Sequence, residues 1–356
     1  TAEDSSTGEL STQKLKISND NEFSFTTTLD QAIYSFGKVG SAITASGHYK
    51  KLVNYNFTSQ RQEVLTQVKK SFYGTILLKN VYEVSKESEE NAKENYEKIK
   101  TRFENGASSE FALLQAEVNW QNAIPQTLKV KEDYELALNN LKSQVGISLE
   151  EEVKLTGSFE KYPTLPTKLA LDAVLEQRPD YNSLLWKKKF DDKVTSIQFA
   201  NHLPSLTGNL TYSYSAQSDK FKLDNDNDNV ILGLNLNIPI FSGGLTDSKV
   251  QQAKIDAKKT ETQIAMTTDF IEIELKNIYI KLQKSEQRIN ATKKGVSTAE
   301  RAFKIAESSV KNGLATQLEL KESRNALNFA KVNYYTAVYE YLEAYFDWQK
   351  AIGNVN

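Results

Sequence analysis

The 356-residue chain contains no cysteine, two histidines (His48 and His202) and six prolines. Without cysteine, disulfides and thiolate metal sites are excluded, and two histidines exclude a histidine-rich zinc site. Basic and acidic residues nearly cancel, at 44 against 46, so nucleic acid is not an expected partner. No run approaches the roughly 18 apolar residues that a membrane-spanning helix requires. Any crossing of a bilayer by this chain must then be made by strands.

The sequence repeats itself at an offset of 207 residues, the distance from Gly37 to Gly244. The same shift, without a gap, aligns Ile33 with Ile240, Phe72 with Tyr279, Tyr134 with Tyr341, and Gly146 with Gly353. One register kept over this length indicates two copies of a single unit, at 22–149 and 229–356. The counterpart of residues 167–217 falls mostly before Thr1, so we expect the chain to begin within a repeat.

Three segments alternate apolar and polar residues with the period of a strand, at 22–33, 206–214 and 229–240. The second and third are predicted to form a hairpin. Their lengths suit the roughly 9–11 residues that cross a bilayer in a β-barrel. Aromatic residues near the strand ends suit a membrane-interface girdle: Phe23, Phe36, Tyr212, Tyr214 and Phe241. Alternation alone leaves open a soluble sheet with one face on a core.

Long helices are predicted after the strands, because apolar residues then recur at steps of three and four. The second copy shows this seam at Ile289, Val296, Phe303 and Val310, and again from Leu327 to Ile352. Asn105-Gly106 and Asn312-Gly313 separate the outgoing helix from the returning one in each copy. Two helical hairpins result. One helix over 44–104 would reach about 90 Å, and Pro125 is expected to kink the first returning helix.

Motifs that could carry chemistry are weak. Gly37-Lys38-Val39-Gly40 and Gly243-Gly244 complete neither a dinucleotide fingerprint nor a P-loop, so they are interpreted as tight turns. Residues 224–229 imitate the start of a calcium loop, but Asn229 and Asn235 stand where glycine and glutamate are needed. This segment is interpreted as a polar hairpin tip. No nucleophile, base and orienting group come together, so we expect no enzymatic activity, no cofactor and no metal site.

With these features the sequence resembles the outer-membrane efflux protein family, the trimeric channel-tunnels of tripartite efflux and type I secretion. The residues that carry the resemblance are Pro239-Ile240-Phe241-Ser242-Gly243-Gly244, Arg178-Pro179-Asp180-Tyr181, Leu203-Pro204-Ser205-Leu206 and Arg102-Phe103-Glu104-Asn105-Gly106, the last repeated loosely at Val310-Lys311-Asn312-Gly313. The resemblance implies an α+β membrane protein with an internal duplication. Its long antiparallel helical hairpins would form a coiled-coil barrel continuous with a transmembrane β-barrel, to which each protomer of a homotrimer gives four strands.

The implied function is a passive exit duct that leads from the periplasm or a transporter to the exterior. The implied location is the bacterial outer membrane, with extension into the periplasm. Expected partners are a periplasmic adaptor (membrane fusion protein), an inner-membrane transporter and outer-membrane lipid; whether the substrate is a drug, a metal or a protein is left open. The rival class is a soluble periplasmic coiled-coil scaffold or adaptor without a pore.

On this basis the chain divides into five segments. They are a first-repeat strand region (1–43), a first helical hairpin (44–149), a linker with a helix (150–203), a β-hairpin of the barrel (204–242) and a second helical hairpin (243–356).

The resemblance also implies functional positions. Glu319 and Glu322 would line the pore constriction at the periplasmic tip, the alternative being ordinary solvated helix residues. The expected adaptor-docking turns contain Arg102, Asn105, Gly106, Asn312 and Gly313, and the strand-to-helix turns contain Gly37, Gly243 and Gly244. Val310 and Ala315 stand where some family members place a Tyr and an Arg in links that hold the tip shut, and Ala112 stands where the first copy often has Asp. The usual closing network is thus incomplete here, with Glu110 or Ser108 as the candidates to substitute.

Overall fold

A computed structural model of the protein describes residues 2–3, 10–11, 19–223 and 226–355. The elements in chain order are β1 Ala2–Glu3, β2 Leu10–Ser11, β3 Asn21–Tyr34, α1 Lys38–Glu104, α2 Glu110–Val145, α3 Leu171–Gln177, α4 Pro179–Phe199, a 3₁₀ turn Ala200–His202, β4 Ser205–Ser218, β5 Asp226–Asn237, α5 Leu245–Lys311 and α6 Gln317–Ala351. The chain forms two compact units, one from Thr1–Lys50 with Lys187–Glu261 and one from Lys51–Trp186 with Thr262–Asn356. None of the described helices carries an apolar stretch long enough to span a membrane.

The first unit contains an antiparallel sheet in the order β3-β4-β5. Leu210 of β4 lies opposite Leu29 of β3 on one side and Leu232 of β5 on the other. The hydroxyls of Thr28 and Thr211 lie 3.3 Å apart across β3 and β4. The predicted hairpin of the second and third strands is therefore confirmed.

The third strand differs from its predicted bounds at both ends. Residues 226–229, interpreted from the sequence as part of a polar hairpin tip, belong to β5 and pair with β4, for example Asp228 with Tyr214. That interpretation was wrong for these residues, because strand pairing extends beyond the apolar alternation; residues 224–225 lie outside the described residues. β5 ends at Asn237, and Pro239, which has no N–H to donate, follows.

The sheet buries little of its apolar surface within the chain. Leu29 of β3 is 62% exposed, and Leu232 and Leu234 of β5 are 79% and 71% exposed. β3 and β5 are also the two edge strands of the sheet. Within one chain, the apolar side chains of β3 and β5 therefore stay exposed, and each of these strands has one edge without a partner strand in this sheet.

The second unit has the larger apolar core. α5 contributes Ile271, Leu275, Leu282 and Ile289 at steps of four and seven, and α6 contributes Val338, Tyr341, Leu342, Ala344 and Trp348. Ile76 of α1, Leu141 of α2 and Phe159 of the linker complete the cluster. Each large side chain buried in this way contributes roughly 1.5–3 kcal/mol of transfer free energy. Ile289, Val338 and Tyr341, which were predicted to lie in the apolar seams of these helices, are buried in this core.

The two longest helices are equal in length. α1 and α5 each have 67 residues, and they begin and end 207 positions apart, at Lys38 and Leu245 and at Glu104 and Lys311. At 1.5 Å per residue, each helix is about 100 Å long.

The first helical hairpin differs from its predicted bounds. α1 begins at Lys38 rather than at residue 44, while α2 is continuous through Pro125. The predicted kink and the five-segment division stay predictions.

Arg178 joins three parts of the second unit. Its side chain is only 7% exposed; it donates through Nε and Nη2 to Asp180 at 3.0 and 2.7 Å, and through Nη1 to Glu274 of α5 at 2.5 Å. Nη1 also donates to the carbonyl of Ala351 at the end of α6, at 3.2 Å. Burial by itself would raise the pKa of Asp180, but the hydrogen bonds and charge of Arg178 outweigh burial and lower that pKa below its ordinary value.

Replacing Arg178 by glutamine should lower the free energy of unfolding of this unit by about 2 kcal/mol, since it removes the charge-assisted hydrogen bonds to Asp180 and Glu274, which are themselves partly exposed. Denaturation followed by circular dichroism at pH 7 measures this, with the exposed Arg61→Gln as the matched control. Equal stability of the two variants would contradict the role given to Arg178.

The same pair predicts a pH dependence. The pKa of Asp180 is depressed in the folded state, so its contribution is complete above the ordinary carboxyl pKa of about 4 and is lost as the pH falls through the folded value. The stability difference between the native chain and Arg178→Gln should therefore shrink on acidification below about pH 4. A difference that stays constant to pH 2 would argue against this linkage.

Candidate functional site

The first helical hairpin turns at Gly106. The N–H of Gly106 donates to the carbonyl of Phe103 at 2.8 Å, and the N–H of Ala107 donates to the carbonyl of Arg102 at 2.7 Å. Gly106 has φ +71°, in the left-handed region that glycine adopts without strain. This is the Schellman pattern, which satisfies the last carbonyls of a helix. Asn105 adds a side-chain hydrogen bond from Nδ2 to the carbonyl of Thr101 at 2.7 Å.

The second helical hairpin turns in the same way at Gly313, also with φ +71°. Gly313 N–H donates to Val310 at 3.1 Å, and Leu314 N–H donates to Ser309 at 2.8 Å. The turns predicted at both Asn-Gly pairs are therefore present. We call the segments 102–111 and 309–318 the hairpin turns. Their proposed docking role stays a prediction.

The returning helices begin with matching caps. The hydroxyl of Ser109 accepts from Ala112 N–H at 3.2 Å, and that of Thr316 accepts from Glu319 N–H at 3.2 Å. At the second turn only, the cap is reciprocal, because Glu319 Oε2 accepts from the backbone N–H of Thr316 at 2.6 Å. The first turn has Ala112 at the equivalent position and lacks this bond.

The two carboxylates predicted at a pore constriction thus differ. Hydrogen bonds from the backbone and the hydroxyl of Thr316 lower the pKa of Glu319 and hold its side chain against the start of α6. Glu322 lies one turn further along α6, exposed, and makes no ion pair or hydrogen bond with any residue that the structure describes. Glu319 therefore has a structural role that the sequence reasoning did not assign, although the capping-box pattern Thr-x-x-Glu was readable at 316–319.

The hairpin turns expose large apolar side chains. Leu314 is 82% exposed, Leu318 55%, and Phe111 75%, and Leu114 at 52% continues the face beyond the first turn. A group of exposed apolar residues of this kind is typical of an interaction surface. The sequence analysis did not name these residues, because single apolar residues next to a turn carry no periodic signal.

Arg324 lies on α6 beyond the second turn. Its guanidinium carbon lies 5.1 Å from the ring centre of Phe303. Its Nε is buried and has no hydrogen-bond partner among the described residues, and burial lowers its pKa despite the charges of Glu307, Glu87 and Glu94. No sequence pattern indicates this arrangement, since only tertiary packing brings these groups near Arg324.

The strand-to-helix turns also repeat at the same offset. Ser35 and Ser242 accept through their carbonyls from Lys38 N–H at 3.0 Å and from Leu245 N–H at 3.1 Å. Gly37 and Gly244 have φ +85° and +80°. At the preceding position Gly243 has φ +61°, but its counterpart is Phe36 with φ +46°. These glycines lie in tight turns, and the two strand-to-helix turns differ at Phe36, a non-glycine residue with positive φ.

The described residues contain no group of three or more histidine, aspartate or glutamate side chains arranged to hold a metal ion. The residues brought together at the hairpin turns cap helices and expose apolar surface. Their chemistry suits contact with another macromolecule.

The chain belongs to the outer membrane efflux protein family, whose model matches residues 1–146 and 170–354. The predicted family is thereby confirmed, and membership places the protein in the bacterial outer membrane. The family is one of efflux channels, not of enzymes.

Among individual proteins, the chain is 23% identical over 298 residues to the alkaline protease secretion protein AprF of Pseudomonas aeruginosa, covering 83% of this chain and 62% of that protein. It is 21% identical over 349 residues to the outer membrane protein TolC of Salmonella enteritidis, covering 95% of this chain and 70% of TolC. The chain thus spans less than two thirds of the length of AprF.

Solved structures show the same fold. The CmeC outer membrane channel of Campylobacter jejuni matches with a TM-score of 0.77 at 19% identity, covering 94% of this chain and 77% of that one. VceC of Vibrio cholerae matches with a TM-score of 0.72 at 18% identity, covering 94% and 86%. A mostly helical chain with a small antiparallel sheet is therefore the fold of these outer-membrane channel structures.

Gly313→Ala and Gly106→Ala should each lower the free energy of unfolding by about 1 kcal/mol, because a Cβ is unfavourable at φ +71°. Gly295→Ala is the matched control. Gly295 lies inside α5 with open space around its Cβ position, so alanine there should raise stability by about 0.8 kcal/mol. Denaturation curves of the three variants measure these changes in the free energy of unfolding. If alanine at Gly295 lowered stability as much as alanine at Gly313, the positive φ would not be the cause of the loss.

Proposed function

We propose that the protein is the outer-membrane exit duct of a tripartite efflux pump or a type I secretion system, and that it conducts substrates passively to the exterior. The observation that carries this proposal is the exposed apolar surface of β3 and β5 in a chain of the outer membrane efflux family. Lipid is the environment in which outward leucine and phenylalanine side chains on strands are stable.

The proposal includes a homotrimer. The smallest transmembrane barrels have about eight strands, whereas the described residues give one sheet of three long strands. Four strands from each of three copies would close a barrel and remove every open edge. Pairing between copies would use the backbone groups of the two edge strands.

An internal duplication is part of the same proposal. It is supported by the equal 67-residue lengths of α1 and α5 and by the matching turns at Gly106 and Gly313. Two similar helical hairpins per protomer give six in a trimer. Such a ring of hairpins would continue the barrel as a coiled-coil tube into the periplasm.

A periplasmic adaptor would dock at the hairpin turns, and an inner-membrane transporter would load the tube. The support is the exposed apolar group that includes Phe111, Leu314 and Leu318, together with Arg102 and Asn105 in the first turn. Apolar anchors with a polar rim are typical of protein interfaces. The alternative, a soluble scaffold without a pore, is not favoured by a family of outer-membrane channels.

At the same end of the tube, Glu319 and Glu322 would form rings of carboxylates at the constriction. The lowered pKa of Glu319 keeps that side chain charged at neutral pH. Rings of carboxylates favour cations in a narrow pore. Glu322, which has no partner among the described residues, is the freer of the two to face a permeating ion.

Single-channel recording in planar bilayers tests this function. The native protein should form a large pore with cation preference, and Glu319→Gln with Glu322→Gln together should move the reversal potential in a salt gradient toward zero. The effect should be larger in 0.1 M than in 1 M salt, because the screening length falls from about 10 Å to about 3 Å.

Two controls sharpen the result. Thr316→Val removes the hydroxyl that bonds Glu319 but keeps the backbone N–H and the charge of Glu319, so selectivity should be retained if charge is the cause. Glu132→Gln changes the same charge at an exposed site on α2 and should have no effect. Absence of any channel activity would refute the exit-duct proposal, whereas channels with unchanged selectivity in the double variant would remove only the two glutamates from the constriction.

A further inference from the structure

The second unit contains a cleft of about 420 Å³ beside the linker. One wall is a stripe on α5 from Glu272 to Gln283, and the other is the extended segment at Lys168 and Leu169 that leads into α3 at Leu171. Trp348 of α6 also lines the cleft. The volume lies within the roughly 300–1,000 Å³ typical of small-molecule sites.

The inner lining of the cleft is apolar. Trp348 is 4% exposed and Leu275 is 9% exposed, so both belong to the core of the unit. The ring of Tyr279 meets the indole of Trp348 edge-on at 5.7 Å between centres. Leu169 and Ile280, which are half-exposed, stand at the mouth. A ligand entering the cleft would exchange water for aliphatic and aromatic contacts.

The rim carries an excess of positive charge. Lys276 is paired with Glu272 one turn earlier on α5. Lys168 has no such carboxylate: its Nζ lies 4.6 Å from the ring centre of Tyr279, and it makes no ion pair with any described residue. Its ammonium group has three donors and is held over the apolar cleft by a cation–π contact. An anion at the rim would supply the acceptor that Lys168 lacks.

We propose that this cleft binds an amphipathic monoanion, with an aliphatic chain on Trp348, Leu275 and Tyr279 and a carboxylate on Lys168. The apolar lining selects the chain and the unpaired ammonium selects the charge. None of the residues that line this cleft belongs to the hairpin turns or to a strand, and binding there does not depend on the proposed conduit function.

The reporter for the test is Trp348. In the full chain with Trp120→Phe and Trp186→Phe, held in a neutral maltoside detergent, Trp348 is the only tryptophan, since the sequence has three. The probe is 12-bromododecanoate, whose terminal bromine quenches indole fluorescence on contact. The matched ligand is 12-bromododecanol, which has the same chain without the charge. Saturable quenching is expected from both, with tighter binding of the acid.

The variants separate charge from packing. Lys168→Gln should weaken binding of the acid about ten-fold, the loss of one charge-assisted hydrogen bond, and leave the alcohol unchanged. Lys161→Gln, on the same extended segment but outside the cleft, should change neither. Leu171→Asn should weaken both ligands.

Three results would overturn the proposal. They are equal affinities for acid and alcohol, unchanged acid binding in Lys168→Gln, and complete protection of Trp348 from the quencher. The last result would mean that no ligand reaches the inner lining of the cleft, where Trp348 is 4% exposed.

Discussion

Uncovered edges of a small sheet are the constraint on which the rest of this structure depends. β3 and β5 flank β4, and their outward leucines and phenylalanines remain largely exposed. Unpaired backbone groups are costly wherever water is absent, as in the core of a bilayer. A chain that places such strands in an outer membrane must join them to other strands. Most of the described residues lie in helices rather than in this sheet.

The long helices impose a second requirement. After a helix of 67 residues the chain must reverse its direction within a short turn before the returning helix begins. Gly106 and Gly313 achieve this with the same φ and the same pair of hydrogen bonds. Far along the chain from these turns, the buried guanidinium of Arg178 joins Asp180 to Glu274 of α5 and to the end of α6. The turns leave Leu314 and Phe111 exposed, so the segments that reverse the chain also carry an exposed apolar surface.

Much of the fold could be predicted from local patterns. Alternation from Phe23 to Ile33 marked β3, and Asn-Gly pairs marked both hairpin turns, since each signal depends only on neighbouring residues. The ends of the strands were harder to predict from the sequence. β5 begins at Asp226, because its pairing with β4 continues past the apolar residues. Features that depend on several distant segments were missed altogether. Arg324 with Phe303, and Lys168 with Tyr279 and Trp348, come together only through helix packing, and nothing in the spacing of these residues indicates it.

A single copy leaves both edges of its three-stranded sheet unpaired. The most direct measurement is the mass of the protein in a neutral detergent, by native mass spectrometry or by sedimentation with the bound detergent subtracted. The account predicts a complex of three chains that persists on dilution and dissociates only when the strands are disrupted. A folded, stable monomer in aqueous buffer without detergent would contradict it.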